Sequence, residues 1–396
     1  MTWLQAKLKY VAHFAYGDAL PKDQEREGDF KVFGSNGAYD NYGRANTQAP
    51  VIIVGRKGSY GKVNWSDHPC FASDTTFFID ATTTHHHLRW LFYLLQTLNL
   101  DQGTDEAAVP GLSRDDAYAK KVFIPPLGEQ KAIAHYLDKE TAKIDQLIEA
   151  KKRLLQLLDE KRRALITHTV TRGLNPDVPM RDSGVEWIGK IPKHWKCSKI
   201  KHHYEITLGK MLQNEPHSLE DVEVPYLKSQ HVQSDRILMD NELPQMWANP
   251  WEIANLNVIK GDLLVCEGGE IGRSAIISSK PPDNCIIQNA LHLVRPKPTG
   301  DVNFLKYLLN HAISQRWLDV LCNKATIAHF TVEKFSQMSI ELPPLSEQKA
   351  IANYLDKETA KINQLRSAVR DTITLLQERR TSLITAAVTG QIQTKE

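Results

Sequence analysis

Pro125 to Thr171 reads PPLGEQKAIAHYLDKETAKIDQLIEAKKRLLQLLDEKRRALITHTVT, and Pro343 to Thr389 reads PPLSEQKAIANYLDKETAKINQLRSAVRDTITLLQERRTSLITAAVT. Aligned without a gap at an offset of 218, 30 of the 47 positions are identical, so this is a duplication and not a chance motif. The chain is two similar modules with approximate internal two-fold symmetry. Such a molecule suits a target with two parts.

Each repeated stretch is predicted to be one long helix. Neither holds a Gly or Pro between its opening Pro-Pro-Leu-Gly or Pro-Pro-Leu and its closing Gly173 or Gly390, and both are rich in Ala, Leu, Lys, Glu, Gln and Arg. A continuous helix of this length would span on the order of 60 Å. The apolar spacing alternates steps of three and four, the seam of a coiled coil. The first seam is Ile133, Leu137, Ile144, Ile148, Leu155, Leu158 and Leu165, with Thr141, Lys151 and Arg162 in phase. The second is Ile351, Leu355, Ile362, Val369, Ile373, Leu376 and Leu383, with Thr359, Arg366 and Arg380 in phase. Two seams kept in one chain favour mutual pairing over two unrelated amphipathic helices. An antiparallel pair would leave a rod between the modules.

The sequence before each helix differs in kind. Residues 1–124 and 195–342 carry Gly, Asn, aromatics and short β-branched runs. Val51 to Val54, Thr75 to Ile79, Leu263 to Val265 and Ala290 to Val294 read as buried strands. Short helices are expected at Leu88 to Leu98 and Phe304 to Leu321. The predicted order is a first mixed globule (1–124), a long helix (125–172), a Pro/Gly-rich linker (173–194), a second globule (195–342), a second long helix (343–390) and a tail (391–396). The fold class is α+β: two pseudo-symmetric mixed globules joined by two long antiparallel coiled-coil helices.

The 396 residues hold 41% hydrophobic and 24% charged residues, enough for two or three packed cores. No apolar run approaches the ~20 residues that cross a bilayer, and the first residues lack a signal-peptide core. Five scattered cysteines without CxxC pairs fit reduced thiols in a cytoplasm. The net charge of +2 is mild for a nucleic-acid binder, so basic residues must be concentrated locally or supplied by a partner.

The twice-repeated PPLxEQxxIAxYLDxETAKI signature, with the linker NPDVPMRDSGVEWIGKIPKHW, resembles the specificity subunit of type I restriction-modification systems. The resemblance covers the whole chain. It implies that each globule is a target-recognition domain reading one half of a split DNA sequence. It implies that the helices set the distance between half-sites and that the chain has no catalytic residues of its own. Implied partners are double-stranded DNA, two methyltransferase subunits and, through them, endonuclease and translocase subunits, in the cytoplasm of a bacterium or archaeon. S-adenosylmethionine, ATP and Mg²⁺ would belong to those partners, with no cofactor and no metal held by this chain. Half-sites read from one face of B-DNA lie about 34 Å apart, within reach of a ~60 Å rod.

Candidate DNA-binding residues follow from Gly-rich turns that bring backbone N–H groups and long donors near phosphates and base edges. In the first globule they are Ser35, Asn36, Arg44, Arg56, Lys57, Ser59, Tyr60 and Lys62. In the second they are Lys228, Ser229, Gln230, His231, Arg273, Gln288 and Asn289. A loop before each Pro-Pro signal reaches the DNA by resemblance, and it offers Lys324, Thr326 and His329. Arg56, beside Lys57 and Lys62, is expected to hold phosphate. Arg273, beside Glu267 and Glu270, is expected to read a base. An ordinary hairpin with solvated charges is the alternative for each turn.

Three motifs are set aside. Gly55 to Lys62 lacks the spacing and the Ser or Thr of a phosphate loop. His85-His86-His87 cannot converge on one metal ion and reads as solvated or capping. Pro282-Asp283 has no following Glu-x-Lys. The rival readings are a coiled-coil scaffold that binds only protein, and the specificity module of a fused methyltransferase or nuclease.

Overall fold

The computed structural model describes residues 3–21, 28–102, 111–234, 236–239, 242–322 and 329–392. The two repeats are helical over Leu127–Arg172 and Leu345–Val388. Both begin just after Pro-Pro, where the Gln130 N–H donates to the Pro126 carbonyl and the Gln348 N–H to Pro344. Both end at a glycine in the left-handed region, Gly173 at φ +75° and Gly390 at φ +76°, a conformation a side chain would strain.

The chain forms two compact units, Met1–Arg153 with Val369–Glu396, and Leu154–Ala368. In the first unit a four-stranded sheet has the order Ala15–Tyr16, Thr76–Ile79, Val51–Gly55, Val63–Ser66. A three-stranded sheet places Phe30–Gly34 between Gly37–Tyr42 and Phe71–Ala72, and a ribbon pairs Leu4–Lys7 with Lys121–Ile124. The second unit repeats this frame. Its four-stranded order is Tyr204–Leu208, Leu291–Pro296, Leu263–Cys266, Ser274–Ile276. Its three-stranded sheet centres on Val222–Leu227, and its ribbon pairs Lys196–Lys199 with Ser339–Leu342. The two globules are one topology under two different sequences.

The helices pair antiparallel within each unit. In the first, Asp145 Oδ1 accepts from Arg380 Nε at 2.9 Å; in the second, Asp159 and Arg366 meet at 2.8 Å. In the first unit Leu137 shares a core with Val388 ahead of the Asp145–Arg380 pair, and in the second Ile166 shares one with Ile351 beyond the Asp159–Arg366 pair, so within each unit partner numbers fall as position rises. Ile133, Leu137, Ile144, Ile148, Leu158, Ile351, Leu355, Ile362 and Val369 are buried, while Leu155, Leu165, Ile373, Leu376 and Leu383 are half-buried. Near each C-terminus burial moves one position on, to Ile166 and Val170 and to Ile384 and Val388. There the helix packs into a globular core as well as along its partner, and a wider apolar face is needed.

The repeated signature is where each globule docks on its helix. Tyr93 Oη donates to Asp138 at 2.7 Å and lies 3.2 Å from Thr141 Oγ1; Tyr307 Oη donates to Asp356 at 2.6 Å and lies 3.2 Å from Thr359 Oγ1. Buried Gln130 accepts from the His87 N–H and donates to the Pro125 carbonyl. Buried Gln348 accepts from the Asp301 N–H and donates to Pro343 and Thr299 carbonyls. Identical helix residues thus hold dissimilar globules by matching bonds: each glutamine accepts from a globule N–H and donates to the first carbonyl of its Pro-Pro pair.

Two expectations change. The short helices are Leu88–Leu95 in the first unit and Val302–Ser314 with Trp317–Leu321 in the second. His87 caps the first of these, its ring nitrogen accepting from the Trp90 N–H. Residues 173–194 are not a free linker: Met180–Asp182 pairs with Lys190–Pro192, and Ile188 and Ile191 join the second unit's core. Trp187 stacks on Trp317 at 5.8 Å. The Pro and Gly content marks a hairpin's turns, and its apolar residues bury it.

Glu341 lies wholly buried in the second unit's ribbon opposite Cys197, both carboxylate oxygens without a hydrogen-bond partner. Burial pushes its pKa up from 4.5 to about 8. The folded carboxyl stays neutral where the unfolded one ionises. Its favourable balance is therefore complete below pH ~4.5 and is lost as pH rises towards 8. Glu341→Gln is expected to melt above the parent at pH 8 and together with it near pH 4.5. Parallel pH profiles of Tm would contradict this account.

Candidate nucleic-acid interface

The two Gly-rich turns are the same structure. In the first unit the Gly55 N–H donates to Lys62 O at 2.9 Å and the Gly61 N–H to Gly55 O at 2.9 Å. In the second, Cys266 N–H donates to Arg273 O at 2.8 Å and Gly272 N–H to Cys266 O at 3.0 Å. The loop preceding Pro-Pro returns onto each turn alike: Leu112 N–H donates to Arg56 O, and Phe330 N–H to Glu267 O, both at 2.9 Å. Turn and returning loop therefore meet at one end of each four-stranded sheet. Lys324 and Thr326 lie outside the described residues; His329 is exposed beside the turn.

In the first unit this end is basic. Lys57, Ser59 and Lys62 are exposed. Lys57 lies 3.9 Å from Asp74, and Lys62 Nζ donates to Asn36 O and Oδ1 at 2.9 and 2.8 Å. Arg56 lies over the Tyr16 ring with its Cζ 4.9 Å from the centroid, and Arg114 lies over the same ring at 4.9 Å. Tyr16 and Arg114 were not legible as site residues, because only the fold brings residues 16, 56 and 114 together. Two candidates are structural: Ser35 is buried with its Oγ donating to Thr75 O at 2.6 Å, and Tyr60 packs against the core. Arg44 is exposed over Tyr42, and no contact among the described residues joins it to the turn.

In the second unit Lys228, Ser229, Gln230 and His231 form a tight turn in which the Lys228 N–H donates to His231 Nδ1. Leu227 O accepts from the Gln288 N–H, and Ala290 O from the Glu267 N–H, so the strand end bearing Gln288 and Asn289 adjoins both turns. Gln230 is exposed, and the Gln288 and Asn289 side chains make no hydrogen bonds among the described residues. These three amides keep their donors and acceptors available. Arg273 does not: Nη1 donates to Glu270 at 2.8 Å and Nη2 to the Ser229 carbonyl at 3.0 Å, and Nε is buried. Against the expectation that Arg273 grips a base, both Nη atoms are bonded within the protein and Nε is buried, and the side chain braces the Lys228–His231 turn against the Gly-rich turn.

The profile of the type I restriction modification DNA specificity domain matches residues 1–157 and again residues 192–375. The chain belongs to this family. The MjaVIII type I restriction enzyme specificity subunit of Methanocaldococcus jannaschii is 24% identical over 315 residues, 77% of this chain and 70% of that relative. The Escherichia coli EcoBI specificity subunit is 21% identical over 350 residues, 86% and 73% of the two chains. Against the MjaX protein of M. jannaschii the match is 24% over 280 residues, and the chain spans 60% of that relative's length. Among solved structures, a chain from a study of complex assembly in the type I R-M system aligns with a TM-score of 0.72 at 15% identity, covering 99% and 98% of the two chains. The HsdS subunit from Thermoanaerobacter tengcongensis gives 0.52 at 16%, covering 98% and 97%. These structures share the specificity-subunit fold.

Proposed function

We propose that this specificity-family chain reads a bipartite DNA target, one half-site per globule, and performs no chemistry itself. The observation that carries the reading is the matched pair of turns and returning loops. One frame presents the same sheet end twice, with Arg56, Lys57 and Lys62 on one copy and Gln230, Gln288 and Asn289 on the other. Lys and Arg hold phosphates, while the amides of Gln and Asn pair with adenine edges. The two ends are thus built to read different sequences. Methylation and cleavage are assigned to partner methyltransferase and endonuclease subunits in the cytoplasm, and S-adenosylmethionine, ATP and Mg²⁺ go with those partners. No helix among the described residues is long and apolar enough to cross a membrane.

The test is an exchange of residues 1–124 for the first globule of another family member. The docking residues Gln130, Asp138 and Thr141 lie outside the exchanged segment and accept a dissimilar globule. Methylated bases mapped in the host genome should change in one half of the target and persist in the other. Loss of both halves together would show that the globules do not read independently. A chain that binds only protein, with no duplex retained at low salt, would return the coiled-coil scaffold reading.

A further inference from the structure

Within the second unit, four arginines converge on one cavity of about 560 Å³. Arg162 and Arg163 come from the first long helix, Arg366 from the second, and Arg236 from the loop that follows the Lys228–His231 turn. Among the described lining residues the one carboxylate is Asp159, 2.8 Å from Arg366 Nε. Arg366 Nη1 also donates to Asn363 Oδ1 at 3.3 Å. Arg162, Arg163 and Arg236 have no ion pair among the described residues, and Arg162 Nε is buried without a hydrogen-bond partner. Among the described lining residues, four guanidiniums face one carboxylate around a single opening.

Helix pairing does not call for this excess. At the offset of 218 the first unit has Arg380 for Arg162, Thr381 for Arg163 and Ile148 for Arg366. There one arginine meets one carboxylate, Arg380 with Asp145 at 2.9 Å, and the charges cancel. The seam holds without the extra arginines, which stand on one copy alone. Like charges crowded together cost stability unless an anion joins them, and several guanidinium forks around one point suit the oxygens of a phosphate.

We propose that this cavity takes a phosphate of the DNA backbone beside the half-site read by the second globule. The inference rests on the DNA-reading function above. Continuity with the candidate interface selects DNA as the source: the Leu238 N–H donates to His231 O at 2.8 Å and the Gln233 N–H to Arg236 O at 2.8 Å. That hairpin carries Arg236 on from the turn that holds Ser229, Gln230 and the braced Arg273. The contact is sequence-independent and fixes where the duplex lies while the amides read it.

The variant is Arg163→Gln with Arg236→Gln in the full chain; both side chains are exposed, so the core is untouched. Binding is measured from low to high salt on a duplex with the target and on one without. Affinity should fall on both by a similar factor, the salt slope should drop by about one to two, and the ratio between duplexes should hold. A parent that binds while the variant keeps its affinity and slope overturns the site alone. A parent that binds no duplex overturns the DNA reading, and the site with it. A fall in the ratio would make the arginines base readers instead. If the variant loses binding of inorganic phosphate alone and keeps duplex binding, the cavity holds a free phosphate. If it loses only its methyltransferase partner, the cavity holds an acidic protein group. Either result overturns the DNA assignment.

Discussion

Four residues inserted after Lys151, together with four after Ile373, should lengthen the spacer of the methylated target by one to two base pairs and leave both half-sites unchanged. The insertion adds ~6 Å of rise, nearly two base pairs, and ~40° of rotation, close to the ~34° of one base pair. Both helices must be lengthened. Fourteen positions separate Asp145 from Asp159 on the first helix, and fourteen separate Arg366 from Arg380 on the second, which lets both ion pairs form. Insertion in one helix alone breaks that equality, and such a chain should melt earlier and lose methylation. The target is read by sequencing methylated sites in a host carrying each variant. A spacer unchanged by the paired insertion would remove the helices from any part in measuring distance.

Gln348→Ala should destabilise the second unit by about 2–4 kcal/mol and leave the first near its parent stability. The side chain is fully buried and serves three backbone groups: the Asp301 N–H at 3.0 Å and the carbonyls of Thr299 and Pro343 at 3.0 and 2.9 Å. Alanine takes the side-chain donor from the Thr299 and Pro343 carbonyls, at ~1–3 kcal/mol for each one that water cannot reach, and leaves a void, while the Asp301 N–H keeps its bond to Tyr204 Oη. Gln348→Glu should be no better, because a carboxylate cannot donate to the two carbonyls. Hydrogen exchange by mass spectrometry resolves the units. Protection should fall around Val302–Ser314 and persist around Leu88–Leu95. Even protection across both helices would mean that Gln348 is not the anchor its bonds suggest.

The long helices were legible because nothing in them competes: no Gly, no Pro, and apolar residues at steps of three and four. Their role as docking sites was not. Gln130 and Gln348 read as ordinary polar helix positions until the His87 and Asp301 N–H groups arrive from elsewhere in the chain. The frame of the globules was legible only in its most apolar strands, such as Val51–Gly55 and Leu263–Cys266. Two-residue strands such as Phe71–Ala72 exist by pairing with distant segments, and local sequence carries little of that. The linker misled because Pro and Gly mark turns within a folded hairpin as readily as an open connection. At the candidate interface, sequence shows which side chains have donors and not whether the donors are already occupied. Glu270 stands close to Arg273 in sequence, and only the fold shows that it accepts a hydrogen bond from that arginine. The stacking of Arg56 and Arg114 on Tyr16 depends entirely on the fold.

The first unit is discontinuous in sequence, and that sets an order of events during synthesis. Its core needs Ile384, Ala387 and Val388, which leave the ribosome more than two hundred residues after Ile133 and Leu137. At roughly 5–20 residues per second the early globule waits on the order of ten to fifty seconds for its last pieces. The second unit, Leu154–Ala368, is one unbroken stretch and can close its core during that wait. The half made first is therefore finished last, and a nascent chain stalled before Ile384 would carry one complete reader and one with its apolar face open.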